Sequence, residues 1–441
     1  MSRRLFVGAG AVLTMRVAAT VMTFAIAVLL ARMLKADGYG DYTYARTVVM
    51  MLMLFALGGR EQLLVREVAV CDRTGTWDVA RGLVGWAAAA AALTSVVMVV
   101  AAVVVIDHLV QPEEPLATTL KVTLALVPLV AVNRIRSAAM RGVRRVVTAV
   151  LPETLLQPLL LVLALAALWL LSRPPSNPAV AAGLLVASTL AAAAVGVLLL
   201  FKVVPAEARR ATPSYATGSW LRASLPFFLL DLLHFGNGRA DVLLLGALRD
   251  SADVGVYSVA ARGGALMALL LQSLNTVLSP DVARLAASVE DGTRDDDRGA
   301  ELQRLVSRSV GLLFLATAAT AGLFLLGAEL FLGLFGEEFQ AGRPAFAILV
   351  LGQLVNVAFG PVGMLLNMTG YERDVVAGVG FSAAFNVVAN LVMIPRFGAL
   401  GAAAATTASL VLWNLILLLR VRARLGIDPT LWSSFRTLLR R

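Results

Sequence analysis

The sequence predicts an all-α membrane protein of about twelve transmembrane helices, arranged as two six-helix lobes related by an internal repeat. Three observations carry this. Of 441 residues, 59% are hydrophobic and 15% charged, against about 45–50% and 25% in soluble domains, and mean hydropathy is +0.82. Apolar runs of about 20 residues recur along the whole chain, each long enough for a hydrocarbon core about 30 Å thick. Positive charge also alternates between the two ends of these runs. Twelve helices of about 21 residues would leave less chain than a soluble catalytic domain needs.

Helices are predicted at about 7–34, 43–60, 82–106, 117–134, 150–172, 178–203, 223–248, 254–279, 307–333, 344–367, 375–395 and 399–423. The start, MSRRLFVGAG, sets two arginines before an apolar run of about 27 residues that ends at Arg32. That exceeds a signal-peptide core, so an uncleaved first helix is expected. Of 38 Lys and Arg, 27 fall on the amino-terminal side, 7 on the other and 4 inside helices. The positive-inside rule then makes both termini cytoplasmic, in a multi-pass protein expected in the bacterial inner membrane. The net charge of +10 is accounted for by this asymmetry, and no nucleic-acid partner is inferred. A single cysteine, Cys71, excludes an intrachain disulfide and any multi-cysteine metal centre. No metal site and no catalytic residue are predicted.

The expected organisation is a first lobe over 1–204, a cytoplasmic linker over 205–222 containing Pro205 and Pro213, a second lobe over 223–424, and a basic amphipathic tail over 425–441. In that tail Leu431, Trp432, Phe435, Leu438 and Leu439 recur at helical spacing beside Arg436, Arg440 and Arg441. The loop 280–306 carries the run Arg294-Asp-Asp-Asp-Arg298, which reads as a solvated charge run. The lobes echo each other: LKADGYGDYTYAR from Leu34 parallels LRDSADVGVYSVAAR from Leu248, aligning Gly40 and Tyr42 with Gly255 and Tyr257. Gly142 and Arg145 similarly echo Gly370 and Arg373. Parallel repeats are an architecture of transporters whose two bundles rock about a central site.

On these stretches, together with GGREQLLVREVA and the span from Pro226 through Arg239-Ala-Asp241-Val-Leu-Leu-Leu-Gly246, the chain resembles the polysaccharide-transporter branch of the multidrug/oligosaccharidyl-lipid/polysaccharide (MOP) exporter superfamily. These are the O-antigen and capsular repeat-unit flippases. The resemblance implies two lobes around a V-shaped cavity and transfer of an undecaprenyl-pyrophosphate-linked oligosaccharide from the inner to the outer leaflet by alternating access, for surface polysaccharide biosynthesis. It implies lipid-linked oligosaccharide and membrane lipids as partners, with a polysaccharide polymerase as a further candidate. The two additional carboxy-terminal helices of lipid II flippases are not found.

Sheltering a diphosphate from hydrocarbon requires an aqueous, cationic cavity. Four arginines lie within predicted helices: Arg16, Arg46, Arg239 and Arg262. A charge at the centre of a lone helix costs about 2.5–3.5 kcal/mol on insertion scales, so each should face a cavity or a partner. The guanidinium fork suits phosphate. Arg16 lies about 13 Å from the cytoplasmic end of its predicted helix, whereas Arg46 lies only about 7 Å below the outer turn and could snorkel to the interface. Structural salt bridges are the competing role for the other three.

Predicted helix seven is the most polar, with Asp231, His234, Asn237, Arg239 and Asp241. At 100° per residue Asp231, His234 and Asp241 share a face. Such a face could bind Na⁺ or relay H⁺; otherwise Asp241 and Arg239 pair with other helices. No organic cofactor is expected. Gly236 and Gly238 weaken this helix, Gly360-Pro361 interrupts the tenth, and Asn386 and Asn390 share a face that could bond sugar hydroxyls or another helix. The basic stretch Arg134, Arg136, Arg141, Arg144 and Arg145 fits ordinary positive-inside bias.

Three alternatives stand beside the glycan flippase. A lipid II flippase or a drug/cation antiporter of the same superfamily remains open, although an antiporter calls for an acidic, aromatic cavity. A membrane glycan polymerase or ligase would need paired acids on a large outer loop. The longest outer segment here, 107–116 with His108, Glu113 and Glu114, is short.

Overall fold

The computed structural model describes residues 2–171, 177–290 and 296–433. Among them the chain is helical without strands and contains nine helices long and apolar enough to cross a membrane. The charge run at 294–295 and the tail beyond Ser433, with Phe435, Arg436, Leu438, Leu439, Arg440 and Arg441, lie outside the described residues. The chain forms two compact units, Met1–Leu232 and Leu233–Arg441.

The first unit opens with α1 (Ser2–Leu57), two helices meeting at Lys35, whose φ of 59° and ψ of −171° break the helical path. The expected eight-residue outer loop is therefore a one-residue turn, and the second helix starts at Ala36. After Gly58 and Gly59, both left-handed, comes α2 (Arg60–Thr74), in a stretch read from sequence as loop. Gly59 has φ 73°, and a Cβ there would collide with the backbone of Ser224 and Phe228. Glycine is required on both grounds. The unit continues through α3 (Trp77–Leu109), α4 (Pro115–Leu124), α5 (Leu126–Gly142), α6 (Val146–Leu151), a π turn over Pro152–Leu156, α7 (Gln157–Leu170), α8 (Pro178–Val203) and α9 (Ala206–Arg210). Pro158 has no N–H to return to Thr154, which explains why the backbone widens there and the Gln157 amide reaches back to Pro152. Asn177 accepts from the Ala179 amide at 2.8 Å and caps α8.

The boundary falls within α10 (Thr217–Leu248), a continuous helix despite Pro226, Gly236 and Gly238. It begins six residues before its predicted start. The second unit continues with α11 (Ser251–Glu290), α12 (Asp296–Leu326), α13 (Ala328–Gly333), a 3₁₀ turn over Glu337–Gly342, α14 (Arg343–Phe359), α15 (Val362–Met368) and α16 (Glu372–Leu425). Gly398 (φ 52°) divides α16 as Lys35 divides α1. Gly360 (φ 77°) separates α14 from α15 beneath the Pro429 carbonyl, where no Cβ would fit. Where the sequence suggested a loop over 280–306, α11 and α12 extend as helices up to the undescribed residues.

Packing follows membrane rules. Buried α1, α3, α5 and α8 positions are rich in alanine (Ala31, Ala87, Ala91, Ala138, Ala181, Ala192), which lets helices approach closely where lipid tails compete with side chains. Large apolar residues point outward, as at Leu93, Val97, Val100 and Val104 of α3 and Leu312, Leu315 and Leu323 of α12. So continuous an exposed apolar surface suits hydrocarbon, not water.

Candidate functional site: buried charge in two units

In the first unit, Arg16 and Arg46 both lie on α1 with exposed side chains, and among the described residues neither meets a carboxylate. Because the turn is at Lys35, Arg46 sits eleven residues beyond it, about 16 Å along the helix axis. Arg46 is therefore farther from the turn than the roughly 7 Å expected from sequence. Arg16 lies nineteen residues before the turn, about 28 Å along the axis.

Asp231 is half-buried and tied to α2: Gln62 Nε2 donates to both its carboxylate oxygens, at 2.9 and 3.0 Å. Beside Gln62, Glu61 accepts from Arg141 at 2.6 Å and from Arg134 at 3.2 Å. The Arg134 charge also interacts electrostatically with Glu153 and Asp231. Deeper, Arg136 is almost wholly enclosed. Its guanidinium donates to Glu153 at 3.1 Å, Asn133 Oδ1 at 2.7 Å, the Ala149 carbonyl at 3.2 Å and the Gly196 carbonyl at 3.4 Å. Three arginines of the basic stretch are thus internal ion-pair partners, and positive-inside bias does not account for them fully. Sequence reasoning missed Glu61, Gln62 and Arg60. The legible signal was Gly-Gly followed by Arg-Glu-Gln, a helix stop and a new helix with an acid in its first turn.

Arg60 Nη1 donates to the Ala56 and Leu57 carbonyls at 2.9 and 3.3 Å, capping α1. The guanidinium lies 5.5 Å from the Trp86 ring centroid, a cation–π distance. Burial pulls its pKa below the usual arginine range.

In the second unit, Asp241 is buried. It accepts from the Tyr257 hydroxyl, from the Val242 amide at 2.8 Å and from Thr406 Oγ1 at 3.4 Å, and it feels the charge of Arg239. Tyr257, the repeat tyrosine, is itself fully buried, as is its counterpart Tyr42. Three elements build this site: α10 brings the acid, α11 the phenol and α16 the threonine. The Arg239 and His234 side chains are exposed and Arg262 is half-buried.

A shared helical face does not by itself bring side chains together: Asp231 accepts from Gln62 within the first unit, and Asp241 accepts from Tyr257 and Thr406 within the second. Among the described residues no group of three His, Cys, Asp or Glu could hold a metal ion. Asn386 and Asn390 are buried, and Asn390 Nδ2 donates back to the Asn386 carbonyl at 2.8 Å.

Comparison with known proteins fits this architecture. Residues 5–286 match the family model described as polysaccharide biosynthesis protein. A probable flippase, AglR of Haloferax volcanii, is 29% identical over 203 residues, which cover 45% of this chain and 40% of the relative. The chain thus spans about two fifths of the length of that curated relative. Among solved structures, the lipid II flippase MurJ in its inward closed conformation superposes with a TM-score of 0.68 at 13% identity, covering 96% of this chain and 91% of that one. An inward-facing multidrug resistance transporter of the MATE family, from the MOP superfamily, gives 0.67 at 13%, covering 92% and 94%. At such identities these structures establish the fold alone, which is that of MOP-superfamily transporters. With its family model matched over more than half its length, the chain is a multi-pass membrane protein of the polysaccharide biosynthesis family.

Proposed function

We propose that this protein is a flippase that carries an undecaprenyl-pyrophosphate-linked oligosaccharide from the inner to the outer leaflet of the bacterial cytoplasmic membrane, by alternating access, for surface polysaccharide biosynthesis. In this reading the chain crosses the membrane twelve times, with α1 and α16 contributing two crossings each and both termini cytoplasmic. The observation that carries it is the pair of exposed guanidinium groups, Arg16 and Arg46, on a membrane-spanning helix with no described carboxylate to neutralise either. Guanidinium held in hydrocarbon is costly unless water or an anion meets it, and a pyrophosphate is such an anion. Arg239 and Arg262 serve the same cargo from the second unit. The similarity to AglR, a probable flippase, supports the flippase activity. The sign of these charges supports an anionic cargo, because two unneutralised cations disfavour cationic drugs.

Asp241 is the proposed coupling group, taking up H⁺ or Na⁺. Its hydroxyl partners Tyr257 and Thr406 can rotate to present lone pairs to either ion. Asp231, bonded to Gln62, and exposed His234 are secondary candidates. A polysaccharide polymerase is a proposed partner, and no chemical step is assigned to the chain. The decisive experiment reconstitutes the full chain in proteoliposomes with a fluorescent lipid-linked glycan on one leaflet, and separately with a cationic dye. Glycan reaching the opposite leaflet without dye efflux supports the reading; dye transport alone replaces it with a cation antiporter. Glycan joined without crossing would make the protein an enzyme.

A further inference from the structure

A cavity of about 440 Å³ lies within the first unit, enclosed by the ends of α2, α3, α5 and α8 and by the segment after α9. Its volume falls within the roughly 300–1,000 Å³ of small-molecule sites. Val68, Val84, Met140, Leu200 and Val203 make its walls apolar, and Trp77 and Tyr215 stand among them. Met140 is shared with the Arg136 site, where its Sδ accepts from Nη1 at 3.0 Å; the other residues named lie outside the charged sites above.

Three features fix what fits. Trp and Tyr concentrate where hydrocarbon meets headgroups, and Tyr215 is exposed at the cavity while Trp77 lines it. On the same end of α8, Leu198 and Phe201 point outward as large exposed apolar groups, so the bilayer's apolar layer reaches this level. Arg81 lines the cavity, and Lys202, Arg209 and Arg210 lie within two residues of its lining residues Leu200, Val203 and Ala208 in the chain; all four are exposed, against one exposed acid on α9, Glu207. Arg81 and Arg209 are held in place: Arg81 Nη1 donates to the Arg209 and Ala211 carbonyls at 2.6 and 2.7 Å, and Arg209 Nη2 donates to the Val204 carbonyl at 2.9 Å. The Ser214 amide, bonded to the Asp78 carbonyl at 3.0 Å, pins the covering segment to α3. The result is an apolar chamber beside a cluster of basic residues, of which Arg81 and Arg209 are anchored.

We propose that this cavity holds one acyl chain of an anionic phospholipid, whose phosphate sits on the rim formed by Arg81, Lys202 and Arg210. Apolar walls select a hydrocarbon chain, and the rim selects the sign of the headgroup. Each basic residue near an anionic lipid surface adds to the attraction, so the site discriminates heads more sharply than tails. Bound there, the lipid ties the segment between the α8 end and α10 to the bilayer. The site is separate from the proposed cargo route and stands whether or not the cargo is a glycan.

The test uses the delipidated full chain reconstituted in phosphatidylcholine vesicles containing a small fraction of phosphatidylglycerol with brominated acyl chains. Bromine quenches tryptophan on contact, and the difference between wild type and Trp77→Phe isolates the Trp77 signal. Brominated phosphatidylglycerol should quench it at a mole fraction about tenfold lower than brominated phosphatidylcholine does. Gly85 lines the cavity, and a Cβ there meets no atom within 4 Å. Gly85→Leu should therefore fill the space and abolish the Trp77 quenching while the protein melts no lower. Lys202→Gln with Arg210→Gln, both exposed, should leave quenching intact but reduce the preference for the anionic head, Arg81 remaining; an undiminished preference overturns the proposed rim. Equal quenching by both lipids in wild type overturns the proposal, as does a folded Gly85→Leu variant that is quenched like wild type.

Discussion

The Arg136–Glu153 pair offers a worked test of how buried charge is held in the first unit. Breaking a buried pair by removing one partner costs about 3–5 kcal/mol. Arg136 keeps four other acceptors, on Asn133, Met140, Ala149 and Gly196, so Glu153→Leu should fall near the lower end, at about 3 kcal/mol. Glu153→Gln retains an oxygen for Nη2 and loses only charge, at about 1–2 kcal/mol. Arg136→Met removes the buried cation itself and leaves Glu153 partly exposed and near Arg134, for about 1–2 kcal/mol. The double variant Arg136→Met/Glu153→Leu should then cost about 2 kcal/mol less than the sum of its parts. Reversible unfolding of the full chain in mixed detergent–SDS micelles measures all four. Additive losses would show that the two groups do not support each other, and the ion-pair account of the basic stretch would be discarded.

Other consequences are as direct. Gly59→Ala must adopt a left-handed conformation against the Ser224 and Phe228 backbone and should cost about 3 kcal/mol or more, read as lost folded yield on size exclusion. Asp241→Asn keeps an acceptor for the Val242 amide but removes the charge, so glycan transport should lose its dependence on the ion gradient with little change in melting. Tyr257→Phe should instead destabilise by about 1–3 kcal/mol, because a buried carboxylate loses a donor. At the carboxy-terminal end of the described chain, burial alone would raise the Asp428 pKa. Bonds from the Thr430 hydroxyl and amide and the Arg422 charge outweigh it and hold the group below the usual carboxylate range. A pKa lower in the folded state than in the unfolded one contributes stability above the unfolded value of about 3.9, lost as pH falls through the folded value. Protection factors for amide exchange over 427–433, taken relative to the intrinsic rate at each pH, should therefore be high at pH 5–7 and fall below about pH 4; Asp428→Asn should show low protection throughout.

Much of this architecture was legible in sequence. The α8 span, 178–203, agrees with the predicted helix residue for residue, because Asn177-Pro178 gives an unambiguous start and Val204-Pro205 an unambiguous stop. The break at Gly360-Pro361 was likewise visible in its residue types. The turn at Lys35 was not, since a lysine with positive φ carries no compositional mark; placing the second helix too late also misjudged how far Arg46 lies from the turn. The α2 helix was hidden by its charge, as Arg60, Glu61, Arg66, Glu67, Asp72 and Arg73 read as loop when hydropathy is the signal. Asp241 was identifiable as an intramembrane acid, but its partners Tyr257 and Thr406 are 16 and 165 residues away. Only tertiary packing brings them together. The same holds for Glu61 with Arg134 and Arg141.

The central claim is that exposed guanidinium within the membrane carries a phosphate-bearing head. Its most direct test is the rate at which lipid-linked glycan crosses proteoliposomes containing Arg16→Gln/Arg46→Gln, matched to wild type in amount and melting temperature. Each charged hydrogen bond is worth about 1.5–3 kcal/mol, so the rate should fall at least about tenfold, with Arg16→Lys/Arg46→Lys recovering part of it. A glutamine double variant that moves glycan as fast as wild type would contradict the account.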